Sequence, residues 1–130
     1  MSGLTYADAS ALVKLVVEEP ESGAMNRWFV ESTRVLTSRI GVVETLRAAS
    51  RRDHDAEHRD AVVRDVGVIE VDQAIAGVAA ALEPPVLRTI DAIHLASAMA
   101  LMPELDAFVT YDDRLAAAAR SLGLPVVRPA

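Results

Sequence analysis

The chain has 130 residues, carries a formal net charge of −6 and contains no cysteine. This length suits one compact domain with its own core, and the missing cysteines exclude a disulfide framework, a thiolate metal site and a cysteine nucleophile. No stretch is apolar enough for a bilayer and the N-terminus has no signal-peptide pattern, so we expect a cytoplasmic protein without a membrane partner.

Strand-like and helix-like periodicities alternate along the chain. The first half predicts a strand at 4–7, helices at 10–17 and 21–31, a strand at 35–38 and helices at 42–52 and 55–65. The second half predicts a strand at 67–71, a helix at 73–82, a helix from Asp91, a strand at 108–111, a helix at 114–122 capped by Gly123, and a strand at 125–128. This order predicts a three-layer α/β domain over residues 1–130, with a central, mainly parallel sheet flanked by helices.

Four carboxylates occupy comparable places in this pattern. Asp8 and Asp112 follow predicted strands, Asp91 opens an apolar helix and Glu44 lies early in another helix. The carboxyl ends of parallel strands meet at one edge of a sheet, where ligands bind, so we expect the four side chains to share one site. Carboxylates gathered there repel one another unless a hard cation neutralises them. The pattern therefore predicts a magnesium or manganese site.

Each carboxylate also has a purely structural interpretation. Asp8, Asp91 and Asp112 stand where helices begin, and aspartate is a preferred N-cap. Glu44 could form an ion pair with Arg47, one turn further along the same helix. Only their joint occurrence favours a shared site.

Other polar and aromatic residues are less informative. His54 and His58 have the spacing of a zinc pair, but their charged segment offers no third ligand and indicates a solvated face. His94 lies among apolar residues and is expected in the core or at an interface. Trp28 and Phe29 are expected in the core or in a groove that receives a partner helix.

The net negative charge is unusual for a protein that binds nucleic acid, because such proteins normally present basic surface to phosphates. Lys14 is the only lysine among 13 basic residues, and arginine suits bidentate phosphate contact better than lysine does. Three arginines follow Glu44 on its helix and are expected on solvated surface or on RNA phosphates (Arg47, Arg51 and Arg52). The charge alone does not decide whether RNA is a partner.

Four segments resemble the motifs of PIN-domain ribonucleases, and most closely those of the VapC toxins of bacterial toxin–antitoxin pairs. They are Asp8-Ala-Ser10-Ala-Leu-Val-Lys14, Val42-Val-Glu44-Thr-Leu-Arg47, Leu87-Arg-Thr-Ile-Asp91-Ala-Ile-His-Leu-Ala and Val109-Thr110-Tyr-Asp112-Asp-Arg-Leu. They follow the family's order and spacing over nearly the whole chain, although Ala9 stands where the family often has threonine.

The resemblance implies a PIN-like fold and Mg²⁺- or Mn²⁺-dependent cleavage of RNA, with Asp8, Glu44, Asp91 and Asp112 as the acidic set. It also implies a homodimer and a VapB-type antitoxin that blocks the site. Hard cations take oxygen ligands. We therefore expect direct metal ligation by Asp8 and Asp91, with Glu44 and Asp112 binding a second ion or metal-bound water.

Ser10 and Thr110 are expected to support this site, by orienting carboxylates or contacting the substrate phosphate. Two alternatives remain beside the ribonuclease. A metal-dependent phosphotransfer domain fits less well, because a receiver domain needs a late lysine and a haloacid-dehalogenase-type phosphatase needs an aspartate where Ser10 stands. A non-catalytic PIN-fold interaction module would keep the fold but has no need of all four carboxylates.

Overall fold

The computed structural model describes residues 3–130, and over this range the chain forms five strands and seven helices. In chain order they are β1 (Leu4–Ala7), α1 (Ala9–Val16), α2 (Ser22–Glu31), β2 (Arg34–Ser38), α3 (Arg39–Ser50), α4 (Ala56–Asp65), β3 (Gly67–Ile69), α5 (Gln73–Ala81), α6 (Thr89–Met99), β4 (Ala107–Val109), α7 (Asp113–Ser121) and β5 (Val126–Val127). The predicted order of elements is confirmed. The largest difference in bounds is the start of α3, which lies three residues before the predicted position 42, while β3 is two residues shorter and α6 begins two residues before Asp91.

The five strands form one parallel sheet in the order β3-β2-β1-β4-β5. The chain fills one half of the sheet outward from β1, then crosses back to place β4 on the other side of β1. Ala7 of β1 pairs with Val109 of β4, so the residues that follow these two strands emerge side by side. The point where the strand order reverses is where open α/β sheets bind ligands.

Hydrophobic cores lie on both faces of the sheet, because successive strand residues point to opposite faces. Tyr6 and Phe108 belong to one core, together with residues of α6 and α7. Their neighbours Ala7 and Val109 belong to the other core, with α1, α2 and α4. Two cores around a central sheet confirm the predicted three-layer α/β architecture.

Two local features of the fold bear on the elements around the site. Gly123 follows α7 with φ of 79°, a left-handed conformation that glycine adopts without steric cost, so the predicted helix cap is confirmed. Gly41 near the start of α3 packs so closely that a Cβ there would overlap the Thr37 hydroxyl and lie 3.3 Å from Cε1 of His94. This close approach brings α3 against α6.

Within residues 3–130, no helix is long and apolar enough to cross a membrane.

Candidate acidic active site

The four carboxylates singled out in the sequence line one pocket of about 440 Å³. Asp8 follows β1 and Asp112 lies just beyond β4, while Glu44 comes from α3 and Asp91 from α6. The remaining lining residues are Ala9, Ser10, Arg88, Thr89, Ile90, His94 and Leu115. A somewhat larger pocket, about 510 Å³, lies between α5 and α6, but its lining is mainly alanine, proline and leucine. The acidic pocket is therefore the candidate site.

Asp8 is the most deeply buried of the four carboxylates and is held by hydroxyl donors. Ser10 Oγ donates to Asp8 Oδ1 at 2.7 Å and Thr110 Oγ1 donates to Asp8 Oδ2 at 2.7 Å. Oδ1 also accepts the backbone N–H of Ala11, so Asp8 is an N-cap of α1 as well as a pocket residue. Burial raises the pKa of Asp8, although the two hydroxyl donors oppose the rise. A nearby cation would favour the charged form again.

Glu44 is tied to the core through a histidine. Nε2 of His94 lies 2.7 Å from Oε1 of Glu44, and Nδ1 of the same ring lies 2.7 Å from the Tyr6 hydroxyl. A carboxylate only accepts hydrogen bonds, so Nε2 carries the proton in this contact. Burial raises the pKa of Tyr6, which keeps its hydroxyl protonated. The hydrogen-bonded chain Tyr6–His94–Glu44 holds Glu44 at the pocket wall.

Asp91 and Asp112 share one cationic group, the guanidinium of Arg88. Arg88 Nε donates to Asp91 Oδ2 at 2.8 Å, and one terminal nitrogen of Arg88 donates to Asp91 Oδ1 at 3.3 Å and to Asp112 Oδ2 at 3.2 Å. The other carboxylate oxygen of Asp112 caps α7 through the N–H groups of Arg114 and Leu115. Partial burial works against the charged form of Asp112, but these backbone donors and Arg88 together lower its pKa.

The N-cap interpretation is confirmed for Asp8 and Asp112 and is wrong for Asp91. Helix α6 begins at Thr89 with Arg88 in the cap position, so Asp91 lies in the first turn. Both of its carboxylate oxygens accept hydrogen bonds from the Arg88 side chain. The alternative pairing of Glu44 with Arg47 is also wrong, because Glu44 contacts His94.

The histidines of the charged segment do not form a zinc pair. His58 Nε2 contacts the carbonyl of Leu15 at 2.7 Å, whereas His54 contacts Arg52 and Arg59. Trp28 and Phe29 pack against the core. The apolar groove beside the acidic pocket instead lies between α1 and α3, is about 440 Å³ in volume and includes Val13, Ile40 and Val43.

The donor set of the acidic pocket is rich in carboxylate oxygens, the ligand type that the hard divalent cations Mg²⁺ and Mn²⁺ prefer. Within residues 3–130, however, no three His, Asp or Glu side chains are grouped closely enough to hold a metal as they stand. Magnesium needs only one or two carboxylates besides water and substrate oxygens, and Asp91 and Asp112 already converge on one cationic group. The donor chemistry therefore fits.

The four carboxylates also have partners within the protein that offset their mutual repulsion. Arg88 supplies a positive charge to two of them, and Ser10, Thr110 and His94 donate hydrogen bonds to the other two. Sequence reasoning missed Arg88 entirely and assigned His94 only to the core or an interface. Arg88 had one usable signal, its position three residues before Asp91, which is the spacing of an ion pair on a helix.

A family model with the description PIN domain matches residues 5–121 of this chain. Two named proteins of Mycobacterium tuberculosis are similar over nearly their whole length. Ribonuclease VapC46 is 38% identical over 95% of this chain and 96% of its own, and Ribonuclease VapC35 is 41% identical over 97% of both chains.

Solved structures show the same fold. The crystal structure of Mycobacterium tuberculosis VapC20, a sarcin–ricin loop cleaving toxin, has a TM-score of 0.71 at 19% identity and covers 96% of this chain and 99% of its own. VapBC2 from Rickettsia felis, bound to a promoter DNA fragment, has a TM-score of 0.67 at 12% identity. The match covers 98% of this chain and 99% of the other. The chain therefore belongs to the PIN-domain family, and within it to the VapC ribonucleases.

Proposed function

We propose that this protein is an endoribonuclease that cleaves RNA phosphodiester bonds and acts as the toxin of a toxin–antitoxin pair. The relatives VapC46 and VapC35 are named ribonucleases. The observation that carries the proposal is the convergence of Asp8, Glu44, Asp91 and Asp112, from four separate elements, in one open pocket. A non-catalytic interaction module would have no need to bring all four carboxylates together.

We further propose that the pocket binds Mg²⁺ or Mn²⁺ through Asp8 and Asp91, with Glu44 and Asp112 contributing directly or through water. When bound, such an ion supplies an activated water and stabilises the charge that develops on the leaving oxygen. The chain itself orients the carboxylates. Ser10 and Thr110 fix both oxygens of Asp8, and supporting hydrogen bonds of this kind set ligand rotamers in metal sites.

The groove between α1 and α3 is a path for the RNA strand. It shares Ala9, Ser10, Glu44 and Ile90 with the acidic pocket, so the two depressions are continuous. Arg47 and Arg51 line the groove one helical turn apart and are exposed. Such guanidinium groups suit phosphates on either side of the scissile bond. This arrangement supplies basic surface locally although the whole chain is acidic.

We also propose a VapB-type antitoxin and a second copy of this chain as partners, in the cytoplasm. VapBC2 and FitAB, both of similar fold, were each solved bound to a DNA fragment, which for VapBC2 comes from its own promoter. An acidic pocket next to an apolar groove suits an antitoxin segment that carries an arginine beside an amphipathic helix. Exposed apolar side chains on α5 and near α6, including Val78 and Val86, suit a homodimer contact.

Cleavage of a labelled single-stranded RNA tests the proposal. The purified protein should cut the RNA with Mg²⁺ or Mn²⁺ and lose this activity in EDTA, and the Asp91→Asn variant should be inactive with either metal. Cleavage that persists in EDTA and is abolished by changing His54 would contradict a metal-dependent mechanism. A folded protein that binds metal but cuts no RNA would instead indicate the interaction module.

A further inference from the structure

Arg88 places a positive charge between two carboxylates of the acidic pocket. Its guanidinium donates to both oxygens of Asp91 and to one oxygen of Asp112, at 2.8–3.3 Å. These carboxylates come from different helices, and Arg88 is the cation that joins them. Two carboxylates oriented on one cation are the local arrangement that a divalent ion also uses.

The Arg88 side chain is much more exposed than the Asp91 side chain that it contacts. It is 55% exposed, whereas the Asp91 side chain is 10% exposed. An exposed ion pair of this kind contributes at most about 1 kcal/mol, because water and salt screen the charges and the long side chain loses freedom. Asp91 and Asp112 are fixed by burial and by backbone donors. Arg88, at 55% exposure against 34% for Asp112 and 10% for Asp91, is therefore the member of the cluster that another cation would displace at the least cost in free energy.

We propose that Arg88 is a displaceable arginine that competes with the metal for Asp91 and Asp112 and binds the substrate phosphate after it has been displaced. This inference rests on the proposed metal-dependent function. Before metal binds, Arg88 suppresses the repulsion between the two carboxylates. Once released, it remains anchored at the start of α6, on the wall of the same pocket. A fork of N–H donors at that position matches the geometry of a phosphate.

This dual use predicts opposite effects on two measurements. Replacing Arg88 removes a competitor, so metal binding should become tighter. The same change removes a phosphate ligand, so cleavage at saturating metal should become slower. A residue with only a structural role would weaken both. If Arg88 acted only through its positive charge, replacing a nearby arginine that contacts no carboxylate would change metal binding to the same extent.

The experiment is calorimetric titration of metal-free protein with Mn²⁺ alone, together with RNA cleavage at saturating Mn²⁺, for the wild type, Arg88→Gln and Arg114→Gln. Arg114 lies two residues beyond Asp112, and among residues 3–130 its side chain has no carboxylate partner. We expect Arg88→Gln to bind Mn²⁺ up to about fivefold more tightly, and to cleave about tenfold or more slowly. Arg114→Gln should bind Mn²⁺ as the wild type does.

Unchanged or weaker Mn²⁺ binding by Arg88→Gln would overturn the inference, and so would equal tightening in Arg114→Gln. If Arg88→Gln cleaved RNA at the wild-type rate at saturating Mn²⁺, Arg88 would not be a phosphate ligand. Binding of Mn²⁺ by Arg88→Gln when the wild type binds none would be the strongest support. If neither protein binds Mn²⁺, the proposed metal site itself is wrong, an outcome distinct from metal binding that does not respond to Arg88.

Discussion

Thr110 Oγ1 donates a hydrogen bond of 2.7 Å to Asp8 Oδ2, and the two residues are 102 positions apart in the chain. The contact follows from the sheet, because Ala7 and Val109 pair in register and the next residues emerge together. The same hydroxyl accepts the backbone N–H of Asp112 at 3.1 Å. One buried hydroxyl thus positions two of the four pocket carboxylates.

We expect Thr110→Val to destabilise the protein and to slow RNA cleavage. Valine keeps the shape of threonine but leaves Asp8 Oδ2 and the N–H of Asp112 without this partner. Unsatisfied buried polar groups cost about 1–3 kcal/mol each. Chemical denaturation should show a loss of that size, and cleavage should fall by about tenfold or more because Asp8 loses one of its two hydroxyl donors.

Thr37→Val is the matched control for this change. The Thr37 hydroxyl is buried and has no hydrogen-bond partner within the described part of the chain. Its replacement by a methyl group should leave the free energy of unfolding unchanged or raise it by about 1 kcal/mol. If the two variants lost equal stability, the hydrogen bonds of Thr110 would not be the cause.

Asp91→Asn should fold normally and lose activity. Asp91 does not cap α6, so the change removes charge and the contact with Arg88 but no capping interaction. We expect the free energy of unfolding to stay within about 1 kcal/mol of wild type. Metal binding, measured by calorimetry, and RNA cleavage should fall by at least about 100-fold. An active variant would remove Asp91 from the set of metal ligands.

The stability of metal-free protein should depend on pH through Asp8. Burial raises the pKa of Asp8 above its ordinary value of 3.8. The folded state therefore holds this proton more tightly than the unfolded chain, so the stabilisation is complete below pH 3.8 and is lost as pH rises through the raised pKa. Asp8→Asn carries no such group. Relative to wild type, its free energy of unfolding should rise as the pH increases from about 4 to about 7.

Asp112→Asn should show the opposite trend in the same denaturation series. The pKa of Asp112 is lowered by its backbone donors and Arg88, against the effect of partial burial. Its contribution to stability is therefore present above 3.8 and is lost as pH falls through the lowered pKa. The variant should be less stable than wild type near neutral pH and should approach it in acid. Parallel trends for the two variants would contradict these assignments.

His94→Leu should reduce stability and cleavage together, whereas His94→Gln should recover part of both. Leucine leaves the buried Tyr6 hydroxyl and Glu44 without the ring nitrogens that they contact. We expect a loss of about 1–3 kcal/mol and slower cleavage, since Glu44 is no longer held at the pocket. Glutamine can still donate to Glu44. Full activity in the leucine variant would show that Glu44 needs no such support.

Co-expression with a VapB-type antitoxin that binds this chain should give a stable complex and restore growth, while expression of this chain alone should be toxic. A partner arginine would pair with Asp8, Asp91 or Asp112, and a partner helix would lie in the groove between α1 and α3. Changing that arginine to alanine should restore RNA cleavage more than it weakens the complex. A complex with an open pocket and normal cleavage would contradict this form of inhibition.

Local sequence patterns were sufficient for the elements of the fold and for the positions of the acids. The alternation of apolar and polar residues, and the runs of apolar ones, indicate which residues a strand or helix buries. Gly123 indicates a backbone conformation that other residues disfavour. Asp8 and Asp112 could be placed at the sheet edge because each directly follows, or nearly follows, a strand. Glu44 was the hardest of the four, since no strand end marks it.

The sequence by itself determined the order of strands and helices and the four carboxylates. Only the tertiary structure decided what those carboxylates contact. Arg88 reaches Asp112 across 24 residues, and His94 reaches Glu44 and Tyr6 across 50 and 88 residues. No local periodicity records such pairs, because they exist only after β1, α3, α6 and α7 pack at one edge of the sheet and bring groups from distant parts of the chain within hydrogen-bond distance.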